Sequence, residues 1–435
     1  MSLAREILGE DPEAYFVEKR YEHVKSIVSR VLRGRRPLTL SDLLDRVFLH
    51  RILGIPIFLA LWWALFRFTF DVSAPLSDII DILFSRLGDT ARESVADPRL
   101  ASLIADGVCA GLGSVLVFVP PIFFLFFGLA ILEDSGYLAR AAFVVDRAMH
   151  KLGLHGRSFI PMLLGFGCNI PAVMATRTID SEGDRLLTIL VSPLMSCSAR
   201  LPVYVLVGSA VLGAYAAAGV YSMYLLGILL AIAVALLFRR AIPFFRRRRS
   251  TFVLELPMYA RPTLRSLLAH MYERGVVFLR KAGTVIFFTM IVVWFLATHP
   301  WEATAGGELI ENSYVAALGR ALEPVFRPIG FDWRGAVALF FGFLAKEIVV
   351  ETFGLLLGVE ERGLASAIAG MFTPVTGLAF MAFTLAYTPC VATVGVIYRE
   401  TNSVKWTLFA IAYELLLAYA LALSIVYIGH ALGYP

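Results

Sequence analysis

The stretch LLGFGCNIPAVMA, residues 163–175, decides how the rest of the chain is read. It lies inside an apolar run long enough to cross a bilayer, yet Gly165, Gly167, Cys168, Asn169 and Pro171 fall within seven positions. The two glycines and Pro171 weaken a helix around Cys168 and Asn169, and Pro171 withholds an amide donor while freeing a carbonyl. Backbone oxygens, an amide oxygen and a thiolate can then converge at mid-membrane. That donor set suits a cation, and sulfur tilts it toward transition metals over sodium or calcium. The competing reading is a packing kink in which Cys168 behaves as a small hydrophobe.

The surroundings are those of an integral membrane protein. Of the 435 residues 58% are hydrophobic and the mean hydropathy is +0.75, whereas soluble domains are about 45–50% apolar. Apolar windows of spanning length recur at about 52–70, 112–132, 158–176, 186–213, 217–238, 282–298, 335–358, 366–398 and 406–428. They predict an all-α polytopic protein with roughly eight to ten crossings, since the runs are too long and too continuous for barrel strands.

Four segments follow. Residues 1–50 form a charged lead-in without a signal-peptide pattern, expected to stay in the cytoplasm, and TLSDLLDRVFLHR within it reads as a helix that Ser41 caps and Asp42 and Asp45 favour. Residues 51–238 make a first membrane half, in which the acidic segment 71–110 is expected outside. Residues 239–281 make a basic, amphipathic cytosolic connection, and 282–435 a second membrane half. The net charge of +5 concentrates in RRAIPFFRRRR (239–249) directly after a span, which points to a cytoplasmic anchor and not to nucleic acid. If every window crossed fully that cluster would lie outside, so one broken window between 158 and 213 is expected to be re-entrant or to contain an extra turn. The four cysteines are too few for a disulfide framework and are expected to be reduced.

The two halves repeat. Residues 146–173 and 319–350 share an Arg-Ala pair, a Gly-containing turn followed by Arg, and a span with Gly-Phe in its middle, so that Gly165 and Phe166 align with Gly342 and Phe343. PLMSCSARLP around Cys197 likewise resembles AYTPCVATVG around Cys390. An interrupted span and a Cys-bearing span in each half is the pattern of transporters built from repeats. Chance likeness between apolar sequences is the alternative.

In SPLMSCSARLPVY (192–204), Ser196 and Ser198 add hydroxyls beside Cys197, and Arg200 is costly in hydrocarbon. It is expected to face a wet cavity or to meet Glu133, Asp134 or Glu347. In FGFLAKEIVVETFG (341–354), Glu347 and Glu351 are four apart on one helix face and can share a cation, with Lys346 holding one of them charged or acting as a tethered counter-ion. A Lys–Glu pair that locks two helices is the structural alternative. Glu133 and Asp134 read as a vestibule or as a solvated helix end. No GxxxxGK[ST], HExxH or GxSxG occurs, so the chain is not expected to be an enzyme.

Taken together, LEDSGYLARAAFVVDRAM, LLGFGCNIPAVMATRTI, LTILVSPLMSCSARLPVYVL, ELPMYARPTLRSLLAHMYER, LAKE (344–347) and YTPCVATVGVIYRE resemble the membrane region of the ferrous iron transport protein B (FeoB) family, in order, from about residue 40 to 428. The resemblance implies an Fe²⁺ importer of the cytoplasmic membrane with two Gate segments and a nucleoside-transporter-like architecture, its route lined by Cys168, Cys197 and Cys390. Asn169, Ser196, Glu347 and Glu351 would complete the metal ligands, with Glu133, Asp134, Arg200 and Lys346 at a vestibule or gate. No permanently bound cofactor is expected and Fe²⁺ is the substrate. Family members begin with a GTP-binding domain and a helical spacer, whereas FVEKRYEHVKSIVSRVL here resembles only the end of that spacer. GTP is therefore expected to act through a separate domain or protein, with a small FeoA-like protein as a further partner and a homo-oligomer compatible. The rivals are a carrier of a nucleoside-like solute, disfavoured by the scarcity of asparagine and absence of glutamine, and a metal-sensing receptor without flux.

Overall fold

The computed structural model describes residues 12–31, 40–50, 53–117, 119–151, 156–245, 259–299, 312–359 and 361–433. The arginine cluster 246–249 lies outside the described residues. Among them every regular element is helical. The lead-in holds α1 (Pro12–Val31) and α2 (Leu40–Phe48). Ser41 falls inside α2 and so is not its cap, and Asp45 is drawn into an ion pair with Arg140 at 2.6 Å. Next comes α3 (Gly54–Ser94), which carries the first window straight through much of the acidic segment as one helix. A π-helical turn (Leu103–Cys109), α4 (Ala110–Val117) and α5 (Val119–Asp134) follow, then α6 (Tyr137–Lys151), whose polar and apolar sides are well separated.

The opening stretch is a helical hairpin. Helix α7 (Phe159–Gly165) runs inward, the chain turns at 166–168, and α8 (Asn169–Ala175) packs back along α7. Its two ends meet on one face of the molecule, where Arg157 Nη1 donates to Asp180 Oδ2 at 2.9 Å and to the Thr178 carbonyl at 2.6 Å. Pro171 sits in the first turn of α8, where a missing amide costs nothing. A broken span succeeds it. Ser181 caps α9 (Glu182–Val191), the chain opens at 195–198, and α10 (Leu201–Leu212) continues to the opposite face. Helix α11 (Ala216–Ala241) returns, and Arg239 pairs with Asp184 to bring its end beside the start of α9. Residues 159–175 thus leave by the face at which they enter, as a re-entrant hairpin does.

After the connection, α12 (Leu264–Phe278) and α13 (Thr284–Thr298) lead to the second copy of the unit. Beyond α14 (Tyr314–Phe326), Asp332 caps α15 (Trp333–Gly342), the chain breaks at 343–347, and α16 (Ile348–Leu357) packs back on α15. A short helix, α17 (Glu361–Ala369), precedes α18 (Pro374–Ala386), the break at 387–390 and α19 (Val391–Thr401). Phe331 stacks edge-on against Phe372 at 6.2 Å, which puts the mouth of this hairpin at the start of α18. The other end of α19 meets the first hairpin's face, where Arg177 and Glu400 form a two-point ion pair. The two hairpins therefore enter from opposite faces, and the repeat is inverted. Helix α20 (Val404–Ala431) closes the chain against α18 through the fully buried Ala418 and Ala422.

Five stretches among the described residues are long and apolar enough to span a membrane, including Pro56–Ser94, Glu182–Ala241 and Val404–Ala431. Leu229, Leu416 and Tyr427 are more than half exposed, the outward apolar face of helices whose solvent is lipid. The tip of the second hairpin depends on one glycine. A Cβ on Gly342 would come 2.3 Å from Val349 Cγ2 and 2.6 Å from the Tyr387 hydroxyl. Gly342→Ala is expected to cost about 1–3 kcal/mol through overpacking, whereas Gly395→Ala on α19, with nothing within 4 Å of the new methyl, gains slightly from helix propensity. Melting midpoints of the two variants in the same detergent check the contrast, and equal midpoints would contradict it.

Candidate functional site

Each half ends its hairpin and its broken span at the same depth, so four chain breaks converge. Cys168, Cys197 and Cys390 each occupy the residue just before a helix begins: α8, the 3₁₀ turn Ser198–Arg200 that leads into α10, and α19. Glu347 holds the same position before α16. A side chain there leaves the helix end, and the first amides of that helix point the same way. Three or four positive helix ends aimed at one place repel a cation unless anionic sulfur or carboxylate stands between them. The Cys and Glu positions supply those groups.

The breaks are stapled in pairs. Ser198 donates its amide (3.2 Å) and its hydroxyl (2.9 Å) to the Gly167 carbonyl, the oxygen that Pro171 leaves without a helical donor. In the other half the Val391 amide donates to the Phe343 carbonyl at 3.1 Å. In both halves the residue following the cysteine bonds to the hairpin tip, which is the repeat expressed in hydrogen bonds.

Between the breaks lies a cavity that takes in about 790 Å³, its open mouth included. Residues 167–170 and 344–347 line it from the hairpin tips, residues 197–199 and Pro389, Cys390, Ala392 and Thr393 from the broken spans, and Ile122, Leu125 and Phe126 of α5 form an apolar wall. Cys168, Cys197, Cys390, Asn169, Lys346 and Glu347 are thereby brought together. Asn169 Oδ1 is buried and has no hydrogen-bond partner among the described residues, while Cys390 Sγ lies 3.2 Å from Thr393 Oγ1. All four cysteines are free thiols. Among the described residues no three His, Cys, Asp or Glu side chains converge closely enough to grip one ion. The three sulfurs line the cavity from three separate breaks.

The remaining residues singled out from the sequence lie elsewhere. Ser196 is fully buried and donates to the Tyr204 hydroxyl at 3.0 Å, because the turn before Cys197 points it into the core; Ser198 reaches the cavity in its stead. Glu351 is one turn along α16 and outside the cavity lining. Arg200, fully buried, meets neither Glu133, Asp134 nor Glu347. Its guanidinium donates to the carbonyls of Pro193 (2.9 Å), Met195 (3.2 Å) and Tyr387 (3.5 Å), the oxygens that the two broken spans leave free. Lys346 pairs with neither glutamate: Nζ donates to the Thr388 carbonyl at 2.7 Å and lies 3.0 Å from the Tyr387 ring centroid. Both buried cations thus serve exposed backbone oxygen.

Glu133 and Asp134 lie at the end of α5, outside the cavity lining. They fasten the end of α5 to α12, Glu133 to Arg274 at 2.9 Å and Asp134 to the Ser266 hydroxyl at 2.8 Å. Close by, the buried Arg140 of α6 pairs with Asp45 of the lead-in and lies 3.6 Å from the Tyr259 ring centroid in the connection. Burial pushes the Tyr259 phenol above its usual range, so it stays neutral beneath the guanidinium. Lead-in, connection and the cavity's apolar wall meet at this joint, which no local motif announces.

Two inverted hairpins with two broken, Cys-bearing spans define a polytopic membrane protein of the Gate class. The Gate family, described as nucleoside recognition, matches residues 115–211 and 279–404, about half of the chain, and a second family, described as the ferrous iron transport protein B C terminus, matches residues 220–274. The Fe(2+) transporter FeoB of Methanocaldococcus jannaschii is 46% identical over 97% of this chain and 64% of its own length. That of Campylobacter jejuni is 38% identical over 94% of this chain and 67% of its own length. A Porphyromonas gingivalis protein named as a fusion of Fe(2+) transport protein A and Fe(2+) transporter FeoB is 39% identical over 97% of this chain and 56% of its own length. The chain belongs to the ferrous iron transport protein B family, and it spans between about half and two thirds of the length of these relatives. No solved structure matches it significantly.

Proposed function

We propose that this chain is the membrane route of a ferrous iron importer, in which Fe²⁺ passes the cavity by exchange among Cys168, Cys197 and Cys390. The observation that carries the reading is that these three sulfurs and Glu347, far apart in sequence, line one cavity at four chain breaks. The names of the relatives supply the metal. Conduction needs sites weak or numerous enough to release the ion, and sulfurs spread around a cavity meet that need better than a closed cage. Asn169 Oδ1 offers an oxygen ligand that no described group has taken. Ser196 and Glu351, outside the cavity lining, contribute only if the breaks rearrange.

The face carrying Arg157, Arg177, Arg185 and Arg239 is the cytoplasmic one by the distribution of its arginines, in the cytoplasmic membrane, with the lead-in on the same side. A GTP-binding domain or protein acts there through the Asp45–Arg140–Tyr259 joint, and a small FeoA-like partner is favoured by the fused relative. A nucleoside-like solute is the second reading, since the Gate family's description names nucleosides. The cavity disfavours it: Asn169 is the one side-chain amide and Phe126 the one aromatic ring among its lining residues.

The test is anaerobic Fe²⁺ uptake into liposomes holding the purified chain, with and without an added excess of nucleoside. Uptake that saturates and ignores the nucleoside supports the iron route. Competition by nucleoside overturns it, and saturable binding with no flux, even after a GTP-binding partner is supplied, assigns the chain to metal sensing.

A further inference from the structure

Glu414 is a buried carboxyl to which the iron route assigns no part. It stands in the middle of α20, 1% exposed, and its Oε2 has no hydrogen-bond partner among the described residues. Its other oxygen faces the Tyr413 hydroxyl at 3.4 Å, and that hydroxyl also bonds to the Leu190 carbonyl of α9. A phenol has one proton to give. If the Leu190 carbonyl takes it, the Tyr413 oxygen can only accept, and Glu414 must then supply a proton of its own. If Glu414 is ionised, Tyr413 must turn its proton from Leu190 to the carboxylate. Two protonation states therefore correspond to two hydrogen-bond arrangements of the same pair.

The carboxyl is tied to the cavity through the backbone. Thr388 Oγ1 donates to the Ile411 carbonyl at 3.5 Å, and Ile411 shares a helix face with Glu414 one turn away. The Thr388 carbonyl is the oxygen that holds Lys346, and Lys346 lines the cavity. Arg200, which donates to the Tyr387 carbonyl, and Lys346, which donates to the Thr388 carbonyl, are the basic side chains at this break. Helix α18, packed along α20, presents no titratable side chain, and the break after it carries Tyr387 and Cys390. Helix α19 bears Tyr398, Arg399 and Glu400 at its far end, where Glu400 is paired with Arg177, and on α11 Arg239 is paired with Asp184.

A buried guanidinium behind the path of a dication poses an electrostatic problem. Each Fe²⁺ that enters adds two positive charges to a region already holding Arg200. We propose that Glu414 is a proton-exchange site whose occupancy opposes that of the metal cavity: its proton is released to bulk water as Fe²⁺ enters and is regained as Fe²⁺ leaves. The ligand of this site is a proton, and the balance is a neutral carboxyl plus Fe²⁺ becoming a carboxylate, bound Fe²⁺ and H⁺. The proposal rests on the iron reading above and adds to it a counter-moving charge.

The experiment titrates the purified full chain with anaerobic Fe²⁺ in weakly buffered detergent solution and counts protons released with a pH indicator. Ligand thiols release protons in every variant, so the difference between variants is what counts. Glu414→Gln is expected to release about one proton fewer per Fe²⁺ than wild type, and Glu414→Asp to match wild type. Equal release by Glu414→Gln and wild type at saturation overturns the exchange and leaves the metal site standing. Failure of wild type to bind Fe²⁺ overturns both. If Glu414→Gln does not fold, infrared difference spectra of wild type decide: loss of a protonated carboxyl band on adding Fe²⁺, at a position that Glu414→Asp shifts, supports the exchange, and no such loss overturns it.

Discussion

Replacing Cys168, Cys197 and Cys390 together by serine weakens Fe²⁺ binding by at least about 100-fold, since altering even an outer partner of a metal ligand costs about 10–100-fold. Serine keeps the volume and removes the soft donor. What remains around the cavity is Asn169 Oδ1, the Glu347 carboxylate and the hydroxyls of Ser198 and Thr393, all of them oxygens. An oxygen cavity favours harder ions, so the preference for Fe²⁺ over Mn²⁺ also falls. Single substitutions have smaller effects, because among the described residues no three ligands close on one point and no one sulfur is a keystone. Equilibrium dialysis under argon with both ions measures the affinity and the preference. Full Fe²⁺ affinity in the triple variant would end the sulfur route, and a single variant as damaged as the triple would replace the relay by one dominant site.

The features legible in the sequence were those with local causes. Gly165, Gly167 and Pro171 announce a break whatever surrounds them, and so do Pro193, Pro202 and Pro389. The parity of spans against arginines calls for a re-entrant segment or an extra turn between 158 and 213, and residues 159–175 form a hairpin. The likeness of the two halves aligned Gly165 with Gly342, and the structure's staples, Gly167 to Ser198 and Phe343 to Val391, agree with that alignment to within one residue. Partnerships were not legible, because they depend on which break faces which. Sequence alone offers Arg200 a wet cavity or a carboxylate and Lys346 a neighbouring glutamate, yet in a fold with four breaks the scarce resource is a donor for free carbonyls. Ser196 and Ser198 are indistinguishable in composition, and only the turn at Cys197 sends one to the core and the other to the cavity. Glu414 is different. It is the lone acidic residue of the window 406–428, and the rule that flagged Glu347 and Glu351 applies to it equally. Arg140, in contrast, lies in a polar helix where an arginine is ordinary.

Arg200→Met shows how much of the site's architecture hangs on one cation. Methionine fills a similar slot and introduces no clash, so the change isolates the loss of the guanidinium. Three carbonyls, those of Pro193, Met195 and Tyr387, lose their donor in an interior that water does not reach. Each unsatisfied buried acceptor costs about 1–3 kcal/mol, so a total of at least roughly 3 kcal/mol is expected, the scale of breaking a buried ion pair. Pro193 and Met195 belong to the first broken span and Tyr387 to the second, so the fork of the guanidinium joins the two repeats behind the cavity. Lysine in the same place offers donors from a single point and cannot reach both breaks with the same geometry. Arg200→Lys is therefore expected to recover part of the melting temperature lost in Arg200→Met. Melting in detergent and Fe²⁺ dialysis on both variants separate the two roles. Unchanged melting in Arg200→Met would mean that the carbonyls find other donors, and the cation would then act on the route through its charge alone.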